Sequence, residues 1–302
     1  MPPTASAPVV AVIAPGEMGH AVAARLGENG VSVLTSLAGR SPRSAERARK
    51  AGMVAVSDEA LVGEAGLMLS IVPPAEAVPL AERFAASLRG KRPGFLYVDC
   101  NAIAPSTMRR VAASIEAAGG RALDAGIIGG PPKPGQAGPR FYASGSEDAA
   151  RDFAALGQHG LDVRVIGTGI GQASALKMCY GALTKGLTAL GTELLTAACL
   201  AGVDGALAAE MSASQKPLTE WLQRQIPAMP PKAYRWVAEM QEIALMFREL
   251  GLPGTTHAGA AQLYEMIAAS PLAEAAAALK ADDVSSMLAQ HSARHKGKAA
   301  AD

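Results

Sequence analysis

Cysteine is scarce in this chain. Its 302 residues include three, Cys100, Cys179 and Cys199, and they are widely spaced. They form neither a zinc pattern nor a disulfide framework, which fits a reducing cytoplasm. Charge is sparse as well. Charged residues make up 18% of the chain against 49% hydrophobic, a balance that excludes disorder for the bulk of it. Neither sign dominates, with 28 Lys and Arg against 27 Asp and Glu. There is no basic field for nucleic acid and no acidic tail. No run of about 18 uncharged apolar residues offers a membrane span. The best candidate, 173–203, is interrupted by Lys177, Lys185 and Glu193. The opening MPPTASAPVVAVIAPG lacks a basic stretch before its apolar run. It reads as a ragged start leading into a strand, not as a signal peptide.

What is present is a length that exceeds one comfortable core and suggests two domains. Through about residue 165, short apolar runs alternate with amphipathic segments. Strand-like runs lie at 9–13, 31–35, 53–56, 67–72, 95–99, 121–124, 141–144 and 163–166, and helical stretches at 18–28, 42–51, 75–89 and 105–118. Such alternation predicts a mostly parallel α/β sheet with crossover helices. After Gly171 the pattern changes. Residues 172–201 contain no proline and predict one helix of ~45 Å. The remainder shows only helical periodicity, broken at prolines 217, 227, 230, 231, 253 and 271.

The first strand runs directly into Ala14-Pro15-Gly16-Glu17-Met18-Gly19. This A-x-G-x-x-G differs by one residue from the dinucleotide fingerprint. Gly16 supplies the position without a side chain beside a pyrophosphate, and Gly19 the one where helix meets strand. The pyrophosphate would sit on backbone N–H groups at the helix start. An NAD-binding fold usually carries an acid ~20 residues further on. Here none occurs between Val33 and Arg43. Ser36, Arg40, Ser41 and Arg43 instead offer hydroxyls and guanidinium groups for a 2′-phosphate, so NADP is expected over NAD.

From these residues onward the chain resembles the β-hydroxyacid dehydrogenase superfamily, which includes 6-phosphogluconate dehydrogenases, 3-hydroxyisobutyrate dehydrogenases and imine reductases. The resemblance rests on APGEMGHAVAARLGENG, SIVPP (70–74), VDCNAIAPST (98–107), DAGIIGG (124–130) and GTGIGQASALKMCYG (167–181). It implies a Rossmann domain over 1–168 and an all-helical substrate and dimerisation domain over 169–302, with an interdomain helix at 169–203. It also implies a homodimer and an active site between the domains. Met18, Val72, Pro73 and Asn101 then fall beside the cofactor, Ile128, Gly129 and Gly130 in the substrate segment, and Lys177 at the catalytic lysine. The chain departs from the pattern at several positions. Asn101-Ala102 replace the usual Ser-Thr, Ile128 replaces a serine and Gly181 an asparagine. Two extra residues precede Lys177, and Gln241-Glu242 stand for a later Lys-Asp pair.

Hydride transfer from an alcohol requires a group that takes the hydroxyl proton, and in reverse gives it back. A lysine does so where burial and a cationic nicotinamide lower its pKa. The apolar Ala-Leu-Lys-Met context favours that role for Lys177 over a lysine reaching into solvent. Lys185 lies ~80° around the same helix, with Gly181 and Thr184 close to the face of Lys177. Gly181 either opens room for substrate or allows close packing. Gly129 and Gly130 present backbone N–H groups to a substrate carboxylate. Asn101, at the end of a strand, is a candidate to orient the nicotinamide or the substrate. His257 is a candidate substrate contact or second proton donor, set against the plainer role of a residue near a helix end. The reading is an NADP-dependent oxidoreductase acting on a small anionic hydroxy or oxo acid. An imine reductase of the same fold and a non-catalytic NADPH-binding regulatory protein are the alternatives.

Overall fold

In a computed structural model, which describes residues 8–90, 93–274 and 279–299, the chain opens with β1 (Val9–Ile13), α1 (Glu17–Glu28) and β2 (Ser32–Thr35). There follow α2 (Pro42–Lys50), β3 (Val54–Ala55), α3 (Asp58–Glu64), β4 (Leu67–Ser70), α4 (Ala77–Leu88), β5 (Leu96–Asp99) and α5 (Pro105–Glu116). Then come β6 (Arg121–Ile128), β7 (Arg140–Ser144), α6 (Glu147–Ala154) and β8 (Asp162–Gly167). The strands form one sheet in the order β3-β2-β1-β4-β5-β6-β7-β8. Neighbours pair in parallel except β6 with β7. Chain order reverses between β1 and β4, so a crevice opens at their carboxyl ends, the place where such sheets bind ligands.

Alternation along the strands builds a core on each face. Val10, Val12, Val33, Leu69, Val98 and Leu123 pack with Leu26 and Phe153. Ala11, Ile13, Leu34, Met68 and Tyr97 pack with Phe84, Met108 and Ile115 on the other face. Each large side chain fully buried this way stabilises by roughly 1.5–3 kcal/mol relative to exposure. Local signals set the helix starts. Ser41 and Ser57 accept hydrogen bonds from the backbone N–H of Ser44 and Ala60, and prolines stand in the first turn of α2 and α5.

The 30-residue helix α7 (Gln172–Ala201) begins in this sheet unit, which extends to Met178, and continues into a second unit. The first turns of α7 are seated on β6. The second unit comprises the rest of α7 with α8 (Asp204–Ser214), α9 (Lys216–Ala228), α10 (Ala233–Glu249), α11 (Thr255–Ala268) and α12 (Ala281–Ala299). Thr184, Thr188, Thr192 and Thr196 each donate to the carbonyl four residues back, so α7 carries these hydroxyls without unsatisfied donors. Trp236 and Tyr264 meet edge to face at 5.3 Å and join α10 to α11. Among the described residues no helix is long and apolar enough to cross a membrane.

Candidate active site

The loop after β1 has the geometry its glycines require. Gly16 begins α1 in an extended conformation and offers no side-chain cap, so the N–H groups of the first turn point outward from a positive helix end. A Cβ at Gly16 would meet nothing within 4 Å, whereas one at Gly19 would collide with the Ala14 carbonyl oxygen. Gly19 is therefore needed by the fold, and Gly16 leaves open space in front of the N–H groups. Ala14 is buried and its N–H donates to Ile71 at 3.1 Å. Glu17 is exposed and Met18 half-buried. His20 places Nδ1 2.6 Å from the Gly16 carbonyl oxygen and fixes the loop from one turn away, a role that no motif around it signals.

At the end of β2, Ser36 is buried and occupied. Arg83 on α4 donates to its hydroxyl at 2.8 Å and grips Asp58 with two further bonds of 2.6 Å. Partial burial opposes ionisation of Asp58, but the bonds from Arg83 and Ser36 outweigh it and hold the carboxyl below its usual range. The Ser36 hydroxyl is thus tied into an ion pair whose arginine, Arg83, lies 47 residues away along the chain. Arg40 is half-buried and Arg43 exposed around the start of α2.

Val72 is buried and Pro73 exposed just beyond β4. Asn101 does not present a free amide to a ligand. Its Oδ1 accepts from the Val72 N–H at 2.7 Å, and its Nδ2 donates to Ser70 at 2.9 Å and Asp99 at 2.7 Å. Asn101 thus ties the β4 loop to the end of β5. Burial pushes the Asp99 carboxyl up to about 7; the bonds from Asn101 oppose the shift and the charge of Asp124 adds to it.

Strand β6 leads into the Ile128–Gly129–Gly130 turn, the expected substrate segment. Ile128 is buried, and Gly129 adopts φ +129°, where an added Cβ would meet Pro139 at 3.1 Å. Gly130 is exposed with open space before it. The loop that follows is held to α1 by Arg25, which donates to the carbonyls of Lys133 and Gln136 at 2.9 and 3.0 Å. Lys177, in the second turn of α7, reaches back across β6. Its Nζ donates to the Ile127 carbonyl at 2.5 Å. Gly126 permits this approach, because a Cβ there would lie 3.0 Å from the Lys177 Cβ and 3.2 Å from the Ala173 carbonyl. The sheet unit thus brings the glycine loop, Val72, the Gly129–Gly130 turn and Lys177 to the carboxyl edge of the sheet, at strands β1, β4 and β6.

The remaining candidates lie in the second unit. The room left by Gly181 is taken by Ile243, 3.2 Å from where a Cβ would stand, which favours the packing role. Lys185 is paired with Glu239 at 2.8 Å and lies 5.4 Å from the centre of the Trp236 ring, while Tyr264 donates to its carbonyl at 2.5 Å. His257 packs edge to face on Phe247 at 4.4 Å. Among the described residues its Nδ1 is buried with no partner, and burial pushes its pKa down.

Residues 9–167 match the NAD binding domain of 6-phosphogluconate dehydrogenase, and 198–267 match a domain of unknown function, DUF1932. An uncharacterised 28.5 kDa protein of Methanothermus fervidus is 29% identical over 169 residues, 56% of this chain and 62% of that protein; the match thus spans less than two thirds of that relative. A conserved protein of unknown function, whose structure is described as similar to 3-hydroxyacid dehydrogenases, is 32% identical over 89% of this chain and all of that one, with a TM-score of 0.65. The 3-hydroxyisobutyrate dehydrogenase of Mycobacterium tuberculosis shares the fold, with a TM-score of 0.67 at 21% identity over 95% of this chain and 99% of that one. The glycine loop, the strand order and the matched residues together make the chain a member of the family defined by the NAD binding domain of 6-phosphogluconate dehydrogenase.

Proposed function

We propose that this protein is an NADP(H)-dependent oxidoreductase that moves hydride between the nicotinamide and a small hydroxy acid or its oxo counterpart, with Lys177 as general acid and base. The observation that carries the reading is the ammonium of Lys177 at the Ile127 carbonyl, one residue before the Ile128–Gly129–Gly130 turn. A substrate carboxylate on the N–H groups of Gly129 and Gly130 would bring its hydroxyl within reach of Nζ. The cofactor supplies the hydride donor or acceptor. The open space before Gly16 fits its pyrophosphate. Arg40 and Arg43 are the cations assigned to its 2′-phosphate, replacing the acid that would select NAD.

A charge-assisted contact to phosphate contributes roughly 1.5–3 kcal/mol, or about 10- to 150-fold in affinity. Fluorescence titration should therefore show NADPH binding tighter than NADH, and equal or tighter NADH binding would refute the cofactor assignment. Absorbance of NADPH, followed across hydroxy acids, oxo acids and imines, tests the reaction. Turnover of imines alone would move the chemistry to C=N. Tight NADPH binding with no turnover would favour a regulatory protein. The reading includes a homodimer. Leu183, Leu190 and Leu200 are 61%, 57% and 53% exposed on α7, and α8 buries none of its residues, apolar surface that a second copy would cover. Light scattering at micromolar concentration should give twice the 30.7 kDa chain mass.

A further inference from the structure

A buried polar row crosses the sheet beneath the site. Ser70, Asp99, Asp124 and Ser144 stand in register on β4, β5, β6 and β7, and all four are at most 1% exposed. At one end of the row, Asn101 ties Val72 to Ser70 and Asp99. At the other, Asp124 takes hold of α7. Its Oδ2 accepts from the N–H of Gly171 at 2.9 Å, the N–H of Ser174 at 3.0 Å and the Ser144 hydroxyl at 3.1 Å. Its Oδ1 accepts from the Ser174 hydroxyl at 2.6 Å. Ser144 in turn accepts from the Ala173 N–H at 2.9 Å. Helix starts leave N–H groups without helical acceptors, and a side chain of the same segment usually takes one. Here the groups at Gly171, Ala173 and Ser174 are taken by two side chains from other strands.

The second attachment lies one helical turn further on. Ser174 and Lys177 are three residues apart and share a face, and Lys177 bonds to Ile127 on the strand that carries Asp124. Gly126, between these anchors, sets the helix at contact distance. The register of α7 against β6, and hence the place of Nζ, has its first fixed point at Asp124. We infer that Asp124 is a positioning residue: its carboxylate caps α7 from the sheet and so fixes where the Lys177 ammonium stands. Its importance to turnover rests on the assignment of Lys177 as acid and base.

Competitive acetylation of the intact protein, read by mass spectrometry from pH 7 to 10, measures the reactivity of Lys177 without a substrate. Amide hydrogen exchange reads the first turn of α7 in the same samples. In Asp124→Ala the amides at 171–174 should exchange about tenfold faster, the size of a lost cap. Lys177 should acetylate several-fold faster, with Lys185 unchanged. Asp124→Asn should return Lys177 to within about twofold of wild type, because one amide oxygen can accept the bonds that converge on Oδ2 and the Ser174 hydroxyl can turn to accept from the NH₂. If the amides open in Asp124→Ala but Lys177 reacts as in wild type, Asp124 is only a cap and the inference falls. It falls also if the amides stay protected. Should Asp124→Ala fail to fold, Ser174→Ala removes the Oδ1 bond alone; wild-type Lys177 reactivity there would count against the inference, and a partial rise would support it. Retention of turnover by Lys177→Met would overturn the acid and base assignment while leaving this labelling result standing.

Discussion

The ammonium of Lys177 sits 2.5 Å from the Ile127 carbonyl oxygen, at the end of β6 just before the two exposed glycines Gly129 and Gly130. On the proposed assignment, a carbonyl there orients the ammonium for proton transfer to an oxygen bound beside it.

Lys177→Met should therefore abolish turnover and leave NADPH affinity nearly unchanged. The apolar stem survives and the packing on Gly126 with it, while the proton-transfer contribution, on the order of 10²–10⁴ in rate, is lost. Steady-state rates beside a fluorescence titration separate the two effects. A parallel loss of NADPH binding would mean that the substitution disturbs the glycine loop.

Lys185→Met should act on stability. The side chains of Lys185 and Glu239 are 13% and 18% exposed, so removing the ammonium leaves a carboxylate in poor contact with water, at a cost of up to about 3 kcal/mol. Thermal unfolding should fall by several degrees, and Lys185→Met with Glu239→Leu should recover most of the loss. If the double variant melts no higher than the single one, the pair is not what Lys185 contributes.

Gly16→Ala and Gly19→Ala should part company. The Gly19 Cβ would run into the Ala14 carbonyl oxygen, a backbone atom, whereas Gly16 has nothing within 4 Å. Gly19→Ala should lower the melting temperature. Gly16→Ala should melt as wild type yet lose about tenfold or more in NADPH affinity, because its methyl group occupies the approach of the pyrophosphate. A Gly16→Ala protein that binds NADPH normally would remove the pyrophosphate from this loop.

These contrasts follow the line between what local pattern encodes and what only the fold reveals. Short continuous apolar runs place β1, β4 and β5, and the proline-free stretch after Gly171 marks α7 at 172–201, the bounds it has in the structure. Helices α3 and α6 leave little pattern in the sequence because both are short, seven and eight residues, and buried alanines blur the periodicity of α6. Strand β6 runs on to Ile128, beyond the expected 124, since Gly126 reads as a turn until α7 is seen lying on it. At the site, the glycines and Lys177 carry their meaning in neighbouring residues. Arg83 with Ser36, Asn101 with Val72, and Asp124 with Ser174 are pairs 29 to 50 residues apart. Their partners are chosen by strand order, which single-residue signals do not contain.

The buried carboxylate of Asp99 should make stability depend on pH. Its folded pKa is raised from 3.8 to about 7, so between those values the folded state holds a proton that the unfolded chain has released. The contribution of Asp99 is then fully present below about pH 4 and is lost as pH rises through about 7, with a slope of at most about 1.4 kcal/mol per pH unit. His257 works in the opposite sense, since its depressed pKa costs stability as pH falls. Wild type must therefore be compared with Asp99→Asn, which leaves His257 in place. Asparagine at 99 stays neutral and turns an amide donor toward the Asn101 amide that now donates to Asp99. Asp99→Asn should be the less stable protein at pH 5, and the gap should close toward pH 8 as wild type gives up its proton. Urea unfolding midpoints at pH 5, 6, 7 and 8 measure the gap. A gap that stays constant or widens toward pH 8 would mean that Asp99 is already ionised in the fold, held by the bonds from Asn101 against the cost of burial.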